Sequence, residues 1–143
     1  MNAAVYQGIG SITVEVIETP HAGPGELVIQ VKSCAICGGD LRTFCHGHSA
    51  IVPPIVLGHE VAGTIVEIGA GISQYQVGDR VVVAPGIGCG HCSYCLSGNQ
   101  HMCYHRKTIA HHFNGGFAEY LRVPAIAVQA GNVNIIPEEV DYL

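Results

Sequence analysis

Charge is what this sequence has least of. Only 12% of its 143 residues are Asp, Glu, Lys or Arg, and its six Lys and Arg are scattered without a basic run. At a net charge of −5 it lacks the electrostatic footprint of a nucleic-acid binder, so no nucleic-acid partner is expected. No stretch reaches the roughly 18 consecutive apolar residues of a membrane span, so no membrane partner is expected either. The opening "MNAAVYQGIG" shows no basic segment followed by an apolar one. No secretory signal is read there, and the expected setting is cytoplasmic. Nearly half of the residues are apolar (48%), which excludes a disordered chain and suffices for one domain with its own core.

Amphipathic helices longer than a few turns are missing too. In their place stand short alternating runs punctuated by 19 Gly and 7 Pro. "SITVEVIE" and "ELVIQVKS" alternate on either side of a "PHAGPG" turn, and "EVAGTIVEIG" leads through "AGISQYQVGD" into "RVVVAP". "GGFAEYLRVP" and "AIAVQAG" read as two further short strands. The pattern predicts a mainly β fold, a partly open barrel with short helices. Between "RVVVAP" and "GGFAEY" lie about 30 residues without periodicity, longer than an ordinary loop, which something other than an apolar core must organise. Two glycine clusters, "GAG" at 69–71 and "GIGCG" at 86–90, run into a strand and a loop instead of opening a helix. Neither is read as a dinucleotide-phosphate site.

Seven cysteines, an odd number, in a chain read as cytoplasmic favour thiols and metal over a disulfide framework. Four of them, Cys89, Cys92, Cys95 and Cys103, form C-x2-C-x2-C-x7-C. Disulfides and an iron–sulfur cluster are the alternatives. The bacterial ferredoxin run places its fourth Cys three residues on and follows it with Pro, whereas here the step is seven and Tyr104 follows. A zinc ion with four thiolates suits the spacing, because each C-x2-C step curls two sulfurs toward one ion. Such a cage is coordinatively full and therefore structural. Cys37, His59 and Glu60 form a second candidate set, far apart in sequence and each flanking a strand, with the donor types that suit zinc. Taken singly, each has an ordinary reading as a buried thiol, a core imidazole or a surface charge.

The joint pattern resembles a known family. "CAICGGD", "GHEVAGTIVEIGAGISQYQVGDRVVV", "CGHCSYC" with Cys103, and "GGFAEYLRVP" follow one another as in zinc-dependent medium-chain alcohol and polyol dehydrogenases. The similarity covers essentially the whole chain and matches the GroES-like catalytic half of such enzymes. It implies that residues 1–143 are one GroES-like catalytic domain with a structural-zinc lobe at about 86–105. Cys37, His59 and Glu60 are implied to hold a catalytic zinc, with Asp40 behind the His59 ring, and Cys89, Cys92, Cys95 and Cys103 a structural zinc. The implied activity is hydride transfer between a small alcohol or polyol and NAD or NADP, in a homodimer or homotetramer.

Three features depart from the family. Gly39 stands where a proton-relaying Ser or Thr is common, and Arg42 where a His is common. The proton would then leave through water, Thr43 or His48. The sequence also stops at Leu143, before a further zinc ligand and the Rossmann cofactor domain, so no alcohol oxidation is expected from these residues alone. Cys34 reads as a packing residue and Cys45 as a bystander. His46, His48, His91, His101, His111 and His112 are assigned no metal. Two other functions stay open: an amino-alcohol (threonine-type) dehydrogenase, and a zinc-stabilised GroES-like binding module without catalysis.

Overall fold

Two of the alternating runs become the longest strands of the chain. In the computed structural model, which describes residues 1–142, β3 (Leu27–Ala35) and β5 (Glu60–Ile68) pair antiparallel. They form the centre of a five-stranded sheet in the order β10 (Val133–Ile135), β6 (Arg80–Val83), β5, β3, β9 (Tyr120–Val123). A three-stranded sheet is built from β1 (Asn2–Gly8), β2 (Ser11–Val16) and β4 (Ile55–Val56), with β1 in the middle. The two sheets meet where Ala4 N–H donates to the Phe117 carbonyl at 2.8 Å and Ala3 bridges Ala118. The result is the expected mainly β, partly open barrel. Its short helices are α1 (Gly38–His46), α2 (Ser93–Leu96) and α3 (Ala125–Gln129).

Inward-facing β-branched residues and Leu fill the main core: Leu27, Ile29, Val61, Ile65, Val81, Val83, Leu121 and Val123 are all buried. Each such side chain contributes about 1.5–3 kcal/mol on leaving water. A smaller cluster of Tyr6, Ile51, Ile55 and Leu57 sits under α1, where the Tyr6 hydroxyl donates to the Thr43 carbonyl at 3.1 Å. That contact seats the helix against β1.

One local expectation changes, and two are filled in. "AIAVQAG" is not a strand: residues 125–129 form α3, because Pro124 starts the turn and Ala and Gln favour helix over sheet. "SITVEVIE" gives a strand as expected, and all six residues of β2 are exposed, since β2 is an edge strand that nothing covers among the described residues. The aperiodic gap is gathered at its base by a two-residue pairing of β7 (Gly86–Ile87) with β8 (Lys107–Thr108). Ile87 and Ile109 anchor that base in the main core. Asn132 fastens it from below, its Nδ2 donating to the Ala84 and Gly86 carbonyls, both at 2.8 Å.

Candidate metal centres

Beyond that base, residues 88–106 have little apolar packing, and sulfur is what converges there. Cys92 and Cys95 sulfurs stand 3.6 Å apart, Cys92 and Cys103 3.8 Å, and Cys89 and Cys95 3.9 Å. A disulfide would need about 2.05 Å. Four thiolates at about 2.3 Å from one tetrahedral ion would be separated by about 3.8 Å, so the sulfurs are spaced for a single ion. A cluster, in which each thiolate serves a different iron, would spread them further. Backbone N–H groups point at the sulfurs as well: Cys89 and His105 N–H each donate to Cys103 Sγ at 3.3 Å. The thiol of Cys92 is lowered to about 6, chiefly by the Cys95 backbone N–H. Such donation favours the thiolate that a metal requires. Gly88 is needed for closure, because a methyl group there would lie 3.0 Å from Cys95 Sγ.

The second set is assembled by sheet register. Ala35, the last residue of β3, pairs with Glu60, the first of β5. Residues just beyond these ends, Cys37 and His59, are thereby brought to the same place. The ligand atoms of Cys37, His59 and Glu60 lie within 4.8 Å of one another. Cys37 is also the N-cap of α1, its sulfur accepting from Gly39 N–H at 3.4 Å. Asp40, on the first turn of that helix, is buried and joins the pieces. Its Oδ2 accepts from Cys37 N–H at 2.9 Å and its Oδ1 from Gly58 N–H at 3.3 Å. Oδ1 also faces His59 Nδ1 at 3.4 Å. That nitrogen is buried and has no hydrogen-bond partner, so Asp40 Oδ1 faces it without a formed hydrogen bond. With Nδ1 turned toward Asp40, Nε2 is the nitrogen left for a metal. Thiolate, imidazole and carboxylate with a carboxylate behind the ring are a donor set that zinc accepts, with room for a further ligand.

A cavity of about 320 Å³ opens beside this set, lined by Gly39, Arg42, Thr43, His48, His59, Pro85, Gly86, Arg106, Thr108 and His111. A methyl group at Gly39 would lie 3.6 Å from His59 Cε1 and 3.8 Å from Cys37 Sγ. A hydroxyl side chain would therefore fit at this position, where the sequence has none. His48, offered from sequence as a route for the proton, and His111, given no role there, both lie at the site: their ring centroids are 4.6 Å apart, and His111 meets His59 edge-on at 6.4 Å. His111 is lowered to about 4, first by burial and then by the neighbouring His48, His59 and His112. No sequence signal singled it out. It arrives through a local turn in which Ala110 adopts φ 67° and His111 N–H returns to the Thr108 carbonyl at 3.2 Å.

The remaining candidates are not among the two sets of converging donors. Cys34 packs against Gly58 and Gly116, and burial raises its thiol to about 11, the opposite of a redox-active sulfur. Cys45 is exposed on α1, and His46, His91, His101 and His112 belong to neither metal set. "GAG" sits in the turn between β5 and β6, and "GIGCG" spans β7 and the start of the lobe, as the sequence suggests. No helix among the described residues is long and apolar enough to cross a membrane.

A β domain carrying one closed four-sulfur cage and one open mixed-ligand set is the class that fold and sites define. Residues 23–132 match the alcohol dehydrogenase GroES-like domain. The chain belongs to the zinc-dependent medium-chain alcohol dehydrogenase family, whose GroES-like domain it carries. It is 42% identical over 134 residues to L-threonine 3-dehydrogenase of Pyrococcus horikoshii, covering 92% of this chain and 38% of that protein. It is 40% identical over 115 residues to sorbitol dehydrogenase of Halalkalibacterium halodurans, covering 80% and 33%. The crystal structure of 2R,3R-butanediol dehydrogenase from Bacillus subtilis superposes with a TM-score of 0.85 at 32% identity, covering 99% of this chain and 42% of that one. The chain thus spans well under half the length of these relatives.

Proposed function

We propose that this chain is the zinc- and substrate-binding part of an oxidoreductase that moves hydride between a small alcohol or polyol and NAD or NADP. The observation that supports this most is the convergence of Cys37, His59 and Glu60 within 4.8 Å, with buried Asp40 holding His59 from behind. A bound zinc would supply Lewis acidity at the alcohol oxygen, and a bound nicotinamide would accept the hydride. The chain's own residues do the rest. Cys37 and His59 would hold the ion, and Glu60, exposed at the start of β5, would complete or exchange with its coordination. Asp40, whose Oδ1 faces His59 Nδ1 at 3.4 Å, would accept from that nitrogen and so leave Nε2 for the metal. Thr43 and His48, both lining the cavity, are the groups in reach of the alcohol proton in the absence of a hydroxyl at Gly39.

In this reading the four-cysteine lobe holds a second, structural zinc and takes no part in turnover. The cofactor would be held outside the two sheets described here, by a dinucleotide-binding domain in the same or a separate chain, and the working enzyme would be a cytoplasmic homodimer or homotetramer. Amino-alcohol oxidation is the second substrate reading, supported by the 42% identity to a threonine dehydrogenase. A non-catalytic binding module would have no use for an open mixed-ligand set backed by a buried carboxylate.

The test is alcohol-dependent reduction of NAD or NADP with the dinucleotide-binding domain present, comparing wild type with Cys37→Ser and His59→Gln. Turnover should fall by at least about a thousandfold while the fold is retained, as expected when a Lewis acid is lost. Unchanged turnover would overturn the proposal.

A further inference from the structure

The cavity beside His59 has a one-sided chemistry that a neutral alcohol does not require. None of its lining residues is Asp or Glu, and two of them are arginines, Arg42 and Arg106. The whole chain carries −5 and has only four arginines. The other two are engaged elsewhere: Arg122 pairs with Glu26 at 3.7 Å, and Arg80 lies over the Tyr142 ring at 4.6 Å and donates to the Glu138 carbonyl at 3.3 Å. Among the described residues, neither Arg42 nor Arg106 has a carboxylate within ion-pair distance. Arg106 is held in place by one N–H, which donates to the His101 carbonyl at 3.3 Å. Among the described residues its remaining N–H groups have no partner, and they form the planar fork that matches a carboxylate or phosphate. Thr108 adds a hydroxyl between the Arg106 segment and His111.

We infer that the substrate carries an oxyanion, a carboxylate or a phosphate, which Arg42 and Arg106 receive while its hydroxyl lies toward His59. This rests on the reading of Cys37, His59 and Glu60 as the reaction centre. The cavity holds about 320 Å³, room enough for a short hydroxy acid or a short phosphorylated alcohol.

The test uses the zinc-loaded chain and four probes: glycerol, glycerate, glycerol 3-phosphate and ADP-ribose. By calorimetry at low salt, glycerate or glycerol 3-phosphate should bind about tenfold or more tightly than glycerol, the scale of one charge-assisted hydrogen bond. The advantage should shrink as salt is added. It should vanish in the R42Q/R106Q double variant and largely survive in R42K/R106K. Both side chains are exposed, so melting temperatures should not move. ADP-ribose should not compete. Equal affinity for the three small probes would overturn the inference, as would retention in the glutamine variant, which would place the anion on the metal itself. Competition by ADP-ribose that disappears with the same substitutions would also overturn it, by assigning the arginines to the dinucleotide. Cobalt substitution tells this failure apart from failure of the site reading. If Cys37→Ser leaves the thiolate-to-cobalt absorption of the second ion intact, the reaction centre is misplaced whatever the arginines do.

Discussion

The two thiolate centres of this chain are built in opposite ways. The four-cysteine lobe takes all its ligands from fifteen consecutive residues and surrounds them with almost no apolar packing; among Cys89 to Cys103, only Cys103 is buried. Its short elements, α2 and a 3-10 turn at Gln100–Met102, could not persist alone. The second centre takes Cys37 and His59 from residues 22 apart, positioned by the register of β3 on β5 and by a buried carboxylate. The lobe has little besides its sulfurs to give it shape, whereas at the second centre the fold itself brings the donor atoms together.

The largest effect should therefore follow from emptying the lobe. With Cys92→Ser or a strong chelator, amides of residues 88–105 should lose hydrogen-exchange protection altogether, while those of β3 and β5 keep theirs. Loss of protection across both regions would mean that the lobe and the barrel fold as one unit.

The second centre should instead be most sensitive to its frame. Gly58 has φ +87°, and a methyl group there would lie 2.6 Å from Phe117 Cδ1 and 2.8 Å from Cys34 Sγ. Gly58→Ala should cost about 2–4 kcal/mol in urea unfolding, from backbone strain plus overpacking. An unchanged midpoint would show that Phe117 can move aside.

A smaller and more local change separates the two metals. Asp40→Asn leaves a group of the same shape behind His59 but removes its charge. Affinity for the second ion should fall by about 10–100-fold with the lobe's affinity unchanged, as read by equilibrium dialysis. Equal weakening of both would point to a global defect.

How much of this comparison is legible in sequence depends on where each site's geometry is written. C-x2-C-x2-C spacing is local, so the cage can be read directly. Cys37 and His59 can be named from the resemblance, but their meeting depends on Ala35 pairing with Glu60, which no single stretch encodes. The strands β5 and β6 were legible because one face of each is buried and alternation marks it, while β3 reads as a strand although Leu27, Val28 and Ile29 are all buried. "AIAVQAG" misled because a run of small and apolar residues suits helix and strand equally, and Pro124 decided for helix. His111 and Arg106 stayed invisible because a turn at Ala110 and the β7–β8 pairing bring them to the cavity from far along the chain, whereas Arg42, on α1 close to Cys37, is visible in sequence as a departure from the family.

The smallest expected effect concerns pH. His111 titrates near 4 in the folded chain against about 6.5 when unfolded, so between these values the unfolded state binds more protons. Stability should be intact above about pH 6.5 and decline as pH falls toward 4, and His111→Asn should flatten that decline. An identical profile in the variant would assign acid sensitivity to other groups.

Zinc titration of the metal-free chain, with wild type, Cys92→Ser and Cys37→Ser compared, tests the central contrast most directly. The account predicts two unequal steps: a tight equivalent absent from Cys92→Ser, and a weaker one absent from Cys37→Ser. Two equally tight equivalents, or a second step indifferent to Cys37, would contradict it.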